Sequence, residues 1–271
     1  MFAFTLPTLS LPARTGLVLA QVVLRYLLFA GGAYLFFYVW RRRQWLARRI
    51  QPRFPTTEQL RLEIGYSLLT ALIFTGVFAA TFALWQHGFT RIYTEVAAHG
   101  WPYLALSVAL LMLLHDTYFY WSHRLMHHRR VFKYVHRVHH LSHNPSPWAA
   151  YAFHPLEAVI EVGILPLAVL VLPVHPLALA IFGLYTFIFN VMGHLGYELL
   201  PPALHRHWLG RWLNTGTHHN LHHQLVKGNY GLYFNLWDTW MGTNHHLNEA
   251  RYAQATATAE AAPEVPPVAR A

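Results

Sequence analysis

Five runs of apolar residues, at 17–39, 64–85, 102–121, 157–173 and 176–193, are separated by polar connections. Each run is close to the roughly 20 residues that a helix needs to cross the hydrocarbon core of a bilayer. The pattern predicts an all-α integral membrane helical bundle of four to five spans in hairpins, with a cytosolic histidine-rich helical cap. The first run contains Arg25, yet Gly31 and Gly32 suit close helix packing, and the stretch from Tyr34 to Trp40 suits an interfacial aromatic belt. It does not read as a cleaved signal peptide: its basic cluster follows the apolar stretch, and no small-residue cleavage site stands out. The last two runs are joined by Leu172-Pro173-Val174-His175-Pro176, without Lys or Arg, which predicts a hairpin that enters and leaves on one side. From about residue 250 the chain becomes Ala/Thr/Glu/Pro-rich and loses its apolar period. One domain over 1–249 and a disordered tail over 250–271 are therefore expected.

Charge then orients the bundle. Only 11% of the 271 residues are charged, against about 25% in soluble domains. The net charge of +9 comes from residues that flank the apolar runs, a topology pattern and not a nucleic-acid surface, so no nucleic-acid partner is expected. Residues 40–63 hold Arg41, Arg42, Arg43, Arg48, Arg49, Arg53 and Arg61, whereas 86–101 hold only Arg91. Residues 122–155 hold Arg124, Arg129, Arg130, Lys133 and Arg137. The positive-inside rule puts the first and third of these connections in the cytoplasm. The Ala/Leu/Arg-rich usage and compact size lean toward a bacterial inner membrane.

Histidine changes the picture from topology to chemistry. The chain has 21 histidines and no cysteine, which excludes disulfides, iron–sulfur clusters, thiolate zinc and cysteine nucleophiles. Fifteen of the 21 lie in the windows 123–154 and 194–223, where an even spread would place about five. His123, His127 and His128 form a first cluster, His136, His139 and His140 a second, and His218, His219, His222 and His223 a third. At i, i+3 and i+4 a helix presents imidazoles on one face, and neutral imidazole suits iron, zinc, copper and nickel. One ion takes four to six ligands, so three such faces argue for two ions. His154 and His194 stand apart in Ala-Phe-His-Pro and Gly-His-Leu-Gly-Tyr-Glu. The scattered remainder, such as His87, His99 and His175, read as ordinary surface or interfacial residues.

Ligating histidines usually donate their other ring N–H to a carboxylate or carbonyl. Asp116, on one helical face with Tyr120 and His123, is the expected orienting carboxylate, and Glu157, Glu198 and Asp238 are further candidates.

The ordered motifs resemble the fatty acid hydroxylase/sterol desaturase superfamily of membrane histidine-box di-iron oxygenases, including its methylsterol-oxidase-like members. The resemblance runs from Asp116 to Thr243, through Asp-Thr-Tyr-Phe-Tyr-Trp-Ser-His-Arg-Leu-Met-His-His (116–128) and Tyr134-Val-His-Arg-Val-His-His. It continues through Asn144-Pro-Ser-Pro-Trp, Ala152-Phe-His-Pro-Leu-Glu157, Gly193-His-Leu-Gly-Tyr-Glu198, His218–His223 and Gly228-Asn-Tyr-Gly. Tyr151 stands where some desaturase-like members carry a histidine. The resemblance implies a histidine-box core over 102–245. It implies ligands from His123, His127 or His128, His136, His139, His140, His194, His219, His222 and His223. His218 and His154 are less firmly implied, because members differ there.

The resemblance further implies two iron ions, with zinc a competing occupant in isolated protein, and O2 as co-substrate. The product is an alcohol if oxygen is inserted into a lipid C–H bond and an alkene if a second hydrogen is lost. With no cysteine cluster and no Gly-x-Gly-x-x-Gly fingerprint, the electrons are expected from a separate donor, a ferredoxin or a cytochrome with its reductase. Two alternatives are a membrane metal-binding or transport protein and a zinc-dependent membrane hydrolase. A transporter places its ligands near the bilayer midplane, whereas these lie beyond the span ends. The hydrolase signature His-Glu-x-x-His is absent.

Overall fold

The computed structural model describes residues 9–257. Among these, four helices are long and apolar enough to cross a membrane. They are α1 (Leu11–Trp40), α2 (Thr57–Gln86), α3 (Gly100–Met126) and α5 (Pro176–Gly193). The fifth apolar run forms α4 (Pro155–Val171), one residue shorter than α5 and interrupted by Pro166. Of the shorter helices, the longest are α6 (Gly216–Leu225) and α7 (Asn248–Thr256).

The helices overrun the apolar runs because their ends are polar, and caps decide where they start. The Thr56 hydroxyl accepts from the Gln59 amide at the start of α2. His154 and His175 cap α4 and α5 through Nδ1, each followed by a proline in the first turn. Both devices satisfy amides that the first helical turn leaves open. α1 passes through two π-helical stretches, Leu27–Gly31 and Leu35–Trp40. At the end of the first, Gly31 lies against the Trp148 ring, where an added Cβ would come within 2.9 Å of Cη2.

Hydrogen bonds between connections fix both ends of the bundle. At one end Ile50 N donates to Gly196 O and Glu198 N to Arg48 O. At the other, Arg91 N donates to Val169 O and Tyr93 N to Val174 O. The main core joins α1, α2, α4, α5 and the turn 147–151 around Tyr26, Phe74, Tyr151 and Phe187. Leu24, Leu28, Leu35 and Leu72 face outward and exposed, which in water would be an aggregation liability and in lipid is the expected boundary.

The tail differs from its sequence reading. Residues 248–256 are helical, with Tyr252 buried against His205 and its hydroxyl donating to Leu200 O. Alanine-rich composition lacks an apolar period but has high helix propensity, and one buried tyrosine anchors the helix. The rest of the expected disordered tail, 258–271, lies outside the described residues.

Candidate metal centre

Nine histidines converge where α1 and α3 end and α2 and α4 begin. The last turn of α3 contributes His123, and its C-cap contributes His127. Together with His136, His140 and His222 they form one group whose ligand nitrogens all lie within 4.8 Å of one another. His139, His194, His219 and His223 form a second group on the same criterion.

The repeated His-x-x-His-His spacing is used twice, with opposite assignments. In 136–140 the i and i+4 residues join the first group and His139 joins the second. In 219–223 the i and i+4 residues join the second group and His222 joins the first. The earlier segment is also not a regular helix: a short helix ends at Val135, and His139–Leu141 is a 3₁₀ turn. Its histidines therefore do not share one face as the spacing predicted.

Hydrogen bonding fixes which nitrogen each ring presents. Nδ1 of His123 lies 2.9 Å from Tyr230 O, that of His127 3.0 Å from Val226 O, and that of His222 2.7 Å from Gly228 O. Nδ1 of His194 lies 2.8 Å from Asn190 O, and that of His136 2.7 Å from Glu157 Oε1. Carbonyl and carboxylate oxygens only accept, so these Nδ1 atoms carry the protons and the Nε2 atoms are bare. His139 Nδ1 likewise lies 3.4 Å from Ala152 O, yet bare Nε2 atoms face each other at 3.0 Å in His123–His136 and at 3.2 Å in His194–His139. Nε2 of buried His222 has no hydrogen-bond partner at all. Lone pairs gathered this closely repel unless a cation lies among them. The donor set, all imidazole nitrogen with carboxylate and carbonyl support, fits a transition-metal pair.

Burial keeps the rings neutral. It pushes His127 down to about 2 and His194 to about 4. His136, His139, His140, His219, His222 and His223 lie well below the usual histidine range, through burial first and neighbouring imidazoles second. Lowering the pKa moves proton competition for each lone pair to more acid solution. Bound metal is therefore expected to stay constant from about pH 8 to about pH 5.5, although an ordinary histidine titrates near 6.5. Metal analysis after dialysis at each pH checks this; loss of half the metal by about pH 6 would contradict it.

The supporting carboxylates divide in an order the sequence does not give. Glu157 orients His136 directly. Asp116 contacts no clustered histidine; its Oδ1 accepts from Tyr233 N and Phe234 N, holding the loop beside α3. Asp238 accepts from Tyr230 N and Gly231 N and so fixes the peptide whose carbonyl holds His123. Glu198 accepts from both Thr217 N and Thr217 Oγ1, tying the start of α6 to the segment that carries His194. The carbonyl for His222 comes from Gly228, at φ +75, where a Cβ would meet Thr243 O at 2.7 Å. Only glycine fits that approach.

Three of the sequence-predicted ligands fall outside both groups. His128 is exposed beyond the end of α3, because the helix stops at Met126 and helical spacing no longer applies. His154 is occupied as the cap of α4. His218 is buried, with Nε2 3.3 Å from Asn244 Oδ1 and 3.7 Å from Asp238 Oδ2.

A cavity of about 410 Å³ extends from this end of the bundle into the membrane-spanning region, lined mainly by apolar side chains of α1, α2, α3, α4 and α5. Its inner end is formed by Phe119, Phe153, Asn190 and Leu232. Phe119 and Phe153 pack on His123 and His139, with ring centroids 4.9 Å and 5.2 Å apart. The intramembrane Arg25 lines the wall and donates to the hydroxyl of Tyr151 at 2.9 Å.

The family model described as fatty acid hydroxylase matches residues 108–243, which hold every histidine of both groups. A Delta(7)-sterol 5(6)-desaturase of Aspergillus fumigatus is 33% identical over 241 residues, covering 81% of this chain and 71% of the relative. The chain belongs to the fatty acid hydroxylase family. A second Delta(7)-sterol 5(6)-desaturase, from Gibberella zeae, is 34% identical over 205 residues, covering 73% of this chain and 60% of the relative. The lathosterol oxidase of Rattus norvegicus is 32% identical over 169 residues, 61% of this chain and 54% of the relative. The chain thus spans between about half and 71% of the length of these relatives. No solved structure matches the chain significantly. The relatives are redox enzymes of lipids by name, which favours the oxygenase reading of this family member over the transporter and hydrolase alternatives.

Proposed function

We propose that the chain is a membrane-bound non-haem di-iron oxygenase that hydroxylates or desaturates a C–H bond of a sterol-class lipid, using O2 and external electrons. The observation that carries this reading is the pair of histidine groups, with bare Nε2 atoms, at the inner end of an apolar cavity between membrane-spanning helices. The sterol class is supported by the names of the relatives. His123, His127, His136, His140 and His222 would hold one iron, and His139, His194, His219 and His223 the other. When bound, the irons supply O2 activation and the oxidising power to cut an unactivated C–H bond. The chain does the rest. Main-chain carbonyls and Glu157 keep Nε2 of each supported ring directed inward. Phe119, Phe153 and Leu232 keep bulk water from the inner end, and the cavity aligns the lipid against it.

The arginine-rich connections at the histidine end support a cytoplasmic placement. Arg129, Arg130, Lys133 and Arg137 are exposed beside the first group. They suit docking of an acidic electron donor, a ferredoxin or a cytochrome, by electrostatic steering. The test is turnover of lathosterol by purified, iron-loaded protein in lipid nanodiscs with O2 and a reductant, followed by mass spectrometry. A product lighter by two hydrogens or heavier by one oxygen is expected. Equal product from protein stripped of both metals would overturn the reading.

A further inference from the structure

The cavity holds a carboxylate that neither the fold nor the metal centre uses. Glu161 lines it from α4, in the middle of an apolar run where an ionisable group is costly and marks function by default. Most other polar side chains of the wall are already engaged. Arg25 donates to the Tyr151 hydroxyl and the Gly183 carbonyl, and His115 Nδ1 is 2.7 Å from the Tyr233 hydroxyl. The Thr75 and Thr81 hydroxyls return to their own helix backbone. Among the described residues Glu161 has no hydrogen bond, and no Lys, Arg or His lies within 4.0 Å of its carboxylate. Asn190 at the inner end and the outward-facing Gln21 also keep unbonded amides.

Its position on α4 gives this carboxylate a purpose. Glu161 follows Glu157 by four residues, one helical turn on the same face, or about 6 Å of rise. Glu157 touches His136, so Glu161 sits one turn from the histidine groups, on the membrane side. A carboxylate there is an acceptor waiting for a donor. An apolar lipid offers none, and an esterified acyl chain offers only acceptors. A lipid alcohol offers one O–H on an otherwise apolar body, which matches a single acceptor in an apolar cavity.

We propose that Glu161 is a specificity-determining residue that accepts the hydroxyl of the lipid substrate and holds that end of the molecule inward. The inference rests on the sterol reading above and adds the residue that recognises the sterol hydroxyl and the direction in which the molecule lies. The experiment is equilibrium binding of radiolabelled lathosterol and of its O-methyl ether to the full chain in nanodiscs. The ether keeps the shape and removes the donor. A hydrogen bond between neutral groups stabilises by about 0.5–1.5 kcal/mol, so wild type is expected to prefer the free sterol by about two- to ten-fold. Glu161→Leu is expected to bind both compounds with the weaker affinity of the ether, while Glu161→Gln, which keeps an acceptor oxygen, retains part of the preference. Both variants are expected to keep wild-type metal content, because Glu161 touches no clustered histidine; this checks that they fold. Equal binding of sterol and ether by wild type, or a preference that survives in Glu161→Leu, would overturn the role of Glu161 and leave the sterol reading standing. Binding of neither compound by wild type would overturn the sterol reading and this assignment with it.

Discussion

His222→Ala protein is expected to bind about one iron per chain where wild type binds two, and to lose lipid oxidation by more than about 100-fold. His222 is fully buried in α6, its Nδ1 is fixed by Gly228 O, and its Nε2 has no partner but the space shared by the first group. Changing groups that merely support a ligand costs about 10–100-fold in metal affinity or activity, so removing the ligand itself costs more. The second group takes no nitrogen from His222 and is expected to keep its ion. The variant therefore separates a two-site centre from one pooled site. Metal analysis with a turnover assay reads both effects, and added imidazole is expected to restore part of the activity. Two irons retained with normal turnover would remove His222 from the centre.

Asp238→Ala is expected to be the most damaging change that touches no proposed ligand of either group. The carboxylate is fully buried and accepts from Tyr230 N at 2.9 Å, Gly231 N at 2.7 Å and Thr243 Oγ1 at 2.7 Å. Each buried donor left unsatisfied costs about 1–3 kcal/mol, so losing the acceptor for all three costs about 3–9 kcal/mol, a drop of more than about 5 °C in unfolding temperature. The effect reaches the metal because the peptide held by Asp238 supplies the carbonyl that orients His123. Iron in the first group is expected to leave before iron in the second when the variant is titrated with chelator. Asp238→Asn, which keeps one carbonyl acceptor, is expected to fall between. An alanine variant that unfolds within about 1 °C of wild type would show that the loop is held by other contacts.

Much of this architecture is legible in the chain, and the exceptions have physical reasons. Four of the five apolar runs become helices long and apolar enough to span, and nine of the twelve histidines expected as ligands meet in the two groups. Their partition is not legible, because one spacing serves both assignments and because 136–141 abandons α-helical geometry. His127 and His128 are adjacent alternatives in the sequence, and only the C-cap of α3, which brings His127 into the first group, separates them. The supports are harder still. Tyr230, Val226, Gly228 and Asn190 act through main-chain carbonyls, which every residue type possesses and no side-chain pattern announces. Asp116 and Glu157 look alike as carboxylates near apolar runs, and only the packing of α4 against the histidines tells them apart. Glu161 is hidden in the same way: its apolar neighbours mark the helix as a span, and the charge reads as an imperfection until the cavity beside it is seen.

Two pairs of consecutive residues, His139 with His140 and His222 with His223, each send one ring to each group. Their ring centroids are 5.8 Å and 5.9 Å apart. Consecutive Cα atoms are about 3.8 Å apart whatever the surroundings. The gap between the two groups is thus set twice by covalent geometry, from opposite walls. Thinning of the bilayer or the entry of a bulky lipid can widen the cavity without separating the two sites, so this centre is built as a fixed gauge inside a compliant membrane body.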